Sequence, residues 1–188
     1  MAEAGTESMA AYGQGTWRFT PATSVTAGLR YNYEEISVDF LDNPSGARSS
    51  GDDSEGVWLG KVSLQHFLND DSMLFASYSR GYKGQAYDIS TGFNQDKADN
   101  PVAAEKSNAF EVGIKTTLLD ERLQLNVVGF YTEYDNFQAQ NTNIAADGTV
   151  ELDIDNVGEL ETQGIEIDAV ALFGENFILR GGFAWIDA

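Results

Sequence analysis

The chain has 188 residues, enough for one domain, and no cysteine, which excludes a disulfide framework, a thiol nucleophile and a Cys-ligated metal. Acidic residues outnumber basic ones 30 to 11, and a net charge of −19 leaves nothing to neutralise nucleic-acid phosphates. Three prolines, 19 glycines and 12% aromatics suit many strands joined by turns, and no apolar run is long enough for a transmembrane helix.

The first residues, MAEAGTE, carry neither a basic region nor an apolar core, so no signal peptide is expected there. A first strand is predicted over Met9–Phe19, then a turn at Pro21. In the second strand Val25, Ala27, Leu29, Tyr31 and Tyr33 alternate with Thr26, Gly28, Arg30 and Asn32. The apolar phase flips after Glu34-Glu35 to Ile36, Val38 and Phe40, which predicts either a β-bulge or a strand leaving its apolar surroundings. Leu41–Gly56 reads as a long polar loop. Val57–Leu68 is a third strand, with Trp58, Gly60, Val62 and Leu64 opposing Lys61, Ser63 and Gln65. A fourth, Met73 to about Lys83, has two competing phases and leads into a polar loop at Gln85–Glu105.

Two runs around Asp120-Glu121-Arg122 form the clearest hairpin. Phe110, Val112, Ile114, Thr116 and Leu118 share one face with Leu123, Leu125, Val127, Gly129 and Tyr131. That face has no charge; the other carries Glu111, Lys115, Gln124 and Asn126. A third loop is expected at Gln138–Thr149, then a strand-like tract over Val150–Phe173 broken near Gly158. Gly174-Glu175-Asn176 turns the chain into a last strand, Phe177–Ala188.

Short turns near 22, 70, 121 and 175 alternate with long polar loops. Arg18, Arg30, Lys61, Lys115, Glu166, Asp168 and Arg180 all fall on the face opposite the apolar one. Tyr31, Tyr33, Trp58, Tyr131, Phe173, Phe177 and Trp185 lie towards strand ends. A bilayer accounts for both regularities, since lipid excludes charge and aromatics collect at its interfaces. A soluble acidic β-sandwich that binds a partner is the alternative.

The stretches YSRGYKGQ (78–85), AEKSNAFEVGIKTTLLDERLQLNVVGFYTEYDNFQ (104–138), DNVGELETQGIEIDA (155–169) and TPATSVTAGLRYNYE (20–34) resemble the C-terminal half of TonB-dependent outer-membrane receptors. The resemblance implies an all-β antiparallel meander of about eight strands, part of a 22-stranded transmembrane barrel, with residues 1–188 a partial barrel domain lacking plug, TonB box and closing strands. It implies a Gram-negative outer-membrane location and active uptake of a scarce nutrient such as a ferric siderophore. The implied partners are lipid, the protein's own plug, the TonB system and a small-molecule ligand. A passive porin-like segment stays open beside it. Nothing suggests an enzyme, a cofactor, a resident metal or nucleic-acid binding. Because an eight-stranded closed barrel built from these turns would be inverted, the first and last strands are expected not to pair.

Candidate ligand-contacting residues are Arg30, Lys61, Lys115 and Arg180 on the charged face, with Arg80, Tyr82, Tyr87 and Phe93 at or in the second loop. The four charged-face cations could instead pair with Glu111, Glu166 and Asp168 in a ladder, and the loop aromatics could pack the loop on itself. His66, the only histidine, lies three residues from Ser63 and so on the opposite strand face, which disfavours a Ser–His hydrolase pair. Asp153-x-Asp155 fails the EF-hand spacing, leaving at most a loose divalent site with Glu159 and Glu161. Gly13-x-Gly15 lacks the third glycine and helix of a dinucleotide site.

Overall fold

A computed structural model describes residues 1–89, 92–144, 150–174 and 176–188. Among the described residues ten strands and one short helix follow in order: β1 (Ala2–Thr20), β2 (Thr23–Leu41), β3 (Arg48–Asn69), β4 (Ser72–Lys83), α1 (Gln95–Asp99), β5 (Glu105–Leu118), β6 (Leu123–Asp135), β7 (Gln138–Ile144), β8 (Val150–Asn156), β9 (Leu160–Phe173) and β10 (Phe177–Asp187). Eight of them form one antiparallel sheet in the order β1-β2-β3-β4-β5-β6-β9-β10, and β7 and β8 form a separate two-stranded sheet. Among the described residues no ladder joins β1 to β10, so the sheet is open, as expected. Parts of two predicted loops, 90–91 and 145–149, and Glu175 of the last turn lie outside the described residues.

The faces follow from register. Residues paired directly across strands point the same way. One row runs Trp17–Val25–Leu64–Ala76–Val112–Gly129–Ile165–Trp185 across all eight strands. Every side chain in it is apolar or absent. The next residue on each strand faces the other way, giving Arg18–Ser24–Gln65–Phe75–Gly113–Val128–Glu166–Ala184. The same register settles β4: Leu74, Ala76 and Tyr78 lie on the apolar face and Phe75 and Ser77 on the polar one.

The apolar face is not covered. Trp17, Leu29, Trp58, Val112, Phe183 and Trp185 all stand exposed on it. The small buried core lies elsewhere, at the long-loop end, where Val38, Phe93 and Ala98 meet with Phe40 and Tyr87 against them.

Three expectations change. No bulge occurs at Glu34-Glu35, because β2 keeps unbroken register with β3 from Thr23 to Leu41. The strand instead continues past its apolar surroundings, and Ile36 and Val38, each 2% exposed, carry the apolar phase onto the polar-face side. The polar loop predicted at Leu41–Gly56 is mostly strand, since β3 begins at Arg48 and only 42–47 connect it to β2. Polar side chains are compatible with a strand whose faces meet water or a loop rather than lipid. The third loop is likewise a hairpin, β7 paired with β8. The break near Gly158 is present; that residue has φ +100, a backbone conformation natural to glycine.

Candidate functional site

Arg30 and Lys61 come together on the polar face. Tyr12 pairs with Arg30, and Gln14, Gly28, Lys61 and Ser79 form one row beside them. These side chains, with Leu59, line a cleft of about 310 Å³. Arg30 donates from a guanidinium nitrogen to Asn32 Oδ1 at 3.1 Å. Arg80 stands at the last β3–β4 pair, opposite Gly60; that register gives it the parity of the apolar face, so, unlike Ser79 beside it, it edges the cleft from the other side of the sheet and does not join Arg30 and Lys61. Lys115 lies further down the face with its ammonium 5.6 Å from the Phe75 ring centre. Arg180 pairs with Val170 near the far edge, away from the other cations. Among the described residues no ion pair joins Arg30, Lys61, Lys115 or Arg180 to Glu111, Glu166 or Asp168; Glu111 instead accepts from Ser77 Oγ at 3.1 Å.

The β3–β4 ladder ends at Gly60–Arg80, while β2 and β3 stay paired up to Leu41–Arg48. The upper parts of β2 and β3 thus stand away from β4, and side chains close the seam. Tyr82 Oη donates to Glu34 Oε1 at 3.4 Å, Gln85 Nε2 to Asp53 Oδ2 at 2.8 Å, and Lys106 Nζ to Glu55 Oε1 at 2.5 Å. Gln95 Nε2 donates to the Ser50 carbonyl at 3.0 Å and its Oε1 accepts from the Ser50 amide at 3.3 Å. The described residues of the connection, 84–89 and 92–104, form a strap over this seam. Asn94 caps α1, its side-chain oxygen accepting from the Lys97 amide. Phe93, 7% exposed, packs against Val38 and Ala98 with its ring 5.1 Å from that of Phe40. Tyr87 joins the same cluster, and its buried hydroxyl has no hydrogen-bond partner among the described residues.

Lys97 latches the strap to the β7–β8 hairpin, with its ammonium 2.9 Å from both Asp88 and Asp153. Burial alone would lower its pKa, but hydrogen bonds to Asp153 and Asp88, together with their charge, hold it above the ordinary lysine value. Burial first, then Asp53, Asp52 and Asp99, push the Tyr87 phenol up as well. A pKa raised on folding contributes stability that is complete below the unfolded value and lost as pH rises through the folded one. Lys97 therefore helps hold the strap through neutral pH, and docking weakens only in alkali, above the ordinary values of about 10, where Lys97 loses its charge and burial opposes ionisation of Tyr87. An alkali-stable protease should begin to cut 84–104 only there. Tyr87→Phe, which removes the orphaned hydroxyl, should be neutral or tighten docking by about 1 kcal/mol, read as slower cleavage.

Two amides unremarked in the sequence tie the loops together. Gln138, buried, donates from Nε2 to the Gly84 and Ala103 carbonyls at 2.9 Å each, and its backbone amide donates to Glu105 Oε2 at 2.9 Å. Asn156 Nδ2 donates to the Ala103 carbonyl at 2.9 Å and the Asn136 carbonyl at 2.8 Å, while its Oδ1 accepts from the Ala103 amide at 2.8 Å. The hint in the sequence is that Glu105, Gln138 and Asn156 all lie in the family-like stretches 104–138 and 155–169. Asn156→Ala should cost about 1–2 kcal/mol by removing two hydrogen bonds to the half-buried Ala103 backbone and one to the exposed Asn136 carbonyl. Protease sensitivity should then rise in the strap and the β7–β8 hairpin together; cleavage in one alone would contradict a shared tie.

His66 Nδ1 lies 2.9 Å from Thr23 Oγ1, its direct cross-strand partner. Among the described residues no group of three or more His, Cys, Asp or Glu is arranged to hold a metal ion, and Asp153 is engaged by Lys97.

A family model described as TonB dependent receptor-like, beta-barrel, matches residues 2–188. The pesticin receptor of Yersinia pestis is 29% identical over 168 residues, which are 87% of this chain and 23% of that receptor. A probable TonB-dependent siderophore receptor of Acinetobacter baumannii, PiuA, is 24% identical over 189 residues, covering 99% of this chain and 24% of its own length. The ferric yersiniabactin uptake receptor FyuA from Yersinia pestis shares the fold, with a TM-score of 0.79 at 22% identity over 99% of this chain and 28% of that one. The chain spans about a quarter of the length of the relatives it matches.

Proposed function

Because the chain belongs to the TonB-dependent receptor-like β-barrel family of non-enzymatic Gram-negative outer-membrane proteins, we propose that it forms part of the wall of a receptor for active uptake of a scarce small nutrient, such as a ferric siderophore. In this reading residues 1–188 supply eight strands of a larger, 22-stranded barrel. A plug fills the lumen, and the TonB system supplies the energy. The observation that carries it is the opposition of two faces on one sheet: an uncovered apolar face for lipid and a polar face with Arg30, Lys61 and the strap above it for ligand and plug. The names of relatives as siderophore or ferric yersiniabactin receptors support an iron chelate. A soluble sandwich would need a second sheet over the apolar face, and among the described residues none lies there.

The test is uptake of ferric chelates by iron-starved cells carrying the full-length protein, with and without a functional TonB system. Saturable, TonB-dependent accumulation is expected. Unsaturable flux that survives loss of TonB would favour the porin reading instead.

A further inference from the structure

Resting on that reading, we propose that the cleft between Tyr12, Gln14, Arg30, Lys61 and Ser79 is an oxyanion subsite. It would take carboxylate or phosphate-type oxygens of the transported ligand.

The cleft is built on one missing side chain. Gly28 lies in the row between Gln14 and Lys61, and its space is the floor between the side chains around it. A Cβ there would meet the Gln14 side chain at 3.6–3.7 Å. Around that floor stand groups that donate: a guanidinium, an ammonium, a phenol, a carboxamide and a serine hydroxyl. Arg30 and Lys61 are diagonal neighbours across β2 and β3, a spacing of roughly 7–8 Å and somewhat less between Cβ atoms. That spacing lets two oxygens of one anionic group, or two adjacent anionic groups, meet both cations. The hydrogen bond to Asn32 Oδ1 fixes the guanidinium while leaving its other donors open.

Among the described residues no carboxylate lines the cleft. The acids nearest along this face are turned to partners of their own: Glu111 to Ser77, Glu34 to Tyr82 and Glu55 to Lys106. In a chain of net charge −19 this leaves a local concentration of positive charge on a concave wall, the arrangement that focuses an attractive field on anions. Acidic side chains of a plug present the same oxyanion chemistry, so a test must separate ligand from plug.

The chain has no cysteine, so a single thiol can report from the cleft. We would place Ser79→Cys in the full-length receptor in outer-membrane vesicles and compare its reaction with two methanethiosulfonate reagents. One carries a sulfonate and the other a quaternary ammonium. The parent protein corrects for thiols elsewhere. Gln14→Cys on the opposite side of the cleft provides a second reporter, should Ser79→Cys fail to assemble. The sulfonate reagent should react at least about threefold faster, relative to the ratio measured on a free thiol in solution. Arg30→Gln with Lys61→Gln should return the ratio to the solution value. A ratio equal to that of the free thiol, or one unaffected by removing both cations, would overturn the subsite. Thiols that react with neither reagent until the receptor is unfolded would mean that the plug fills the cleft, and the ligand assignment would fall. TonB-dependent uptake measured on the same cells keeps the receptor reading separate from all of these outcomes.

Discussion

Val127→Arg should prevent insertion into the outer membrane, while Asn126→Arg, one residue away on the same strand, should be tolerated. Val127 pairs with Ile114 and Ile167 on the face that meets lipid; Asn126 pairs with Lys115 and Asp168 on the face that meets the lumen. A charged side chain near the bilayer midplane of a barrel costs roughly 2–4 kcal/mol on the lipid side. On the lumen side it stays in a polar environment, and Asp168 directly opposite offsets the charge of Lys115. The readout is heat-modifiable mobility and protease resistance of the full-length protein in outer-membrane fractions. Equal tolerance of the two changes would remove the assignment of faces, and with it the receptor reading.

That pair of residues also marks how far the sequence could be read. Within the lipid span, one face must be apolar and strand side chains alternate, so Val127 and Asn126 separate by parity alone. The same holds for Lys61, Lys115 and Arg180, whose faces follow from spacing. Above the span the constraint disappears. Asp52, Asp53 and Glu55 read as loop because their polarity matches no buried face, yet β3 runs through them, paired with β2. Their side chains serve the seam with the strap instead: Asp53 takes Gln85 and Glu55 takes Lys106. The phase flip at Ile36 was visible, but not its cause, because Phe93 and Ala98 that cover Val38 lie more than fifty residues away and come back only through the folded strap. Gln138 and Asn156 were illegible for a related reason. An amide that ties a distant loop to its own hairpin looks in sequence like any solvated loop residue; only the positions of the Ala103 and Gly84 carbonyls give it a role.

Glycines inside strands look dispensable by propensity, and here the two faces should give opposite answers. Gly164 lies on the lumen face, directly opposite Phe130 of β6 and Ile186 of β10. A Cβ at Gly164 would come within 2.8–2.9 Å of the Phe130 ring and press harder still on the Trp185 carbonyl oxygen. The ring can turn, but the carbonyl belongs to the neighbouring strand and cannot move without disturbing the β9–β10 ladder. Gly164→Ala should therefore destabilise by about 1–3 kcal/mol, as overpacking does. Gly129, in the adjacent row on the lipid face, has no heavy atom closer than 4.0 Å to a Cβ placed on it. Gly129→Ala should be neutral or slightly stabilising, since alanine loses less backbone freedom on folding than glycine. Adding Phe130→Leu to Gly164→Ala should recover only part of the loss, because it removes the ring contact and leaves the backbone one. Denaturant unfolding of the refolded full-length barrel measures all three. Full rescue by Phe130→Leu would show that the ring alone demands a glycine at this joint. Equal effects of the two alanines would mean that the close approach of β9 to β10 does not constrain the wall.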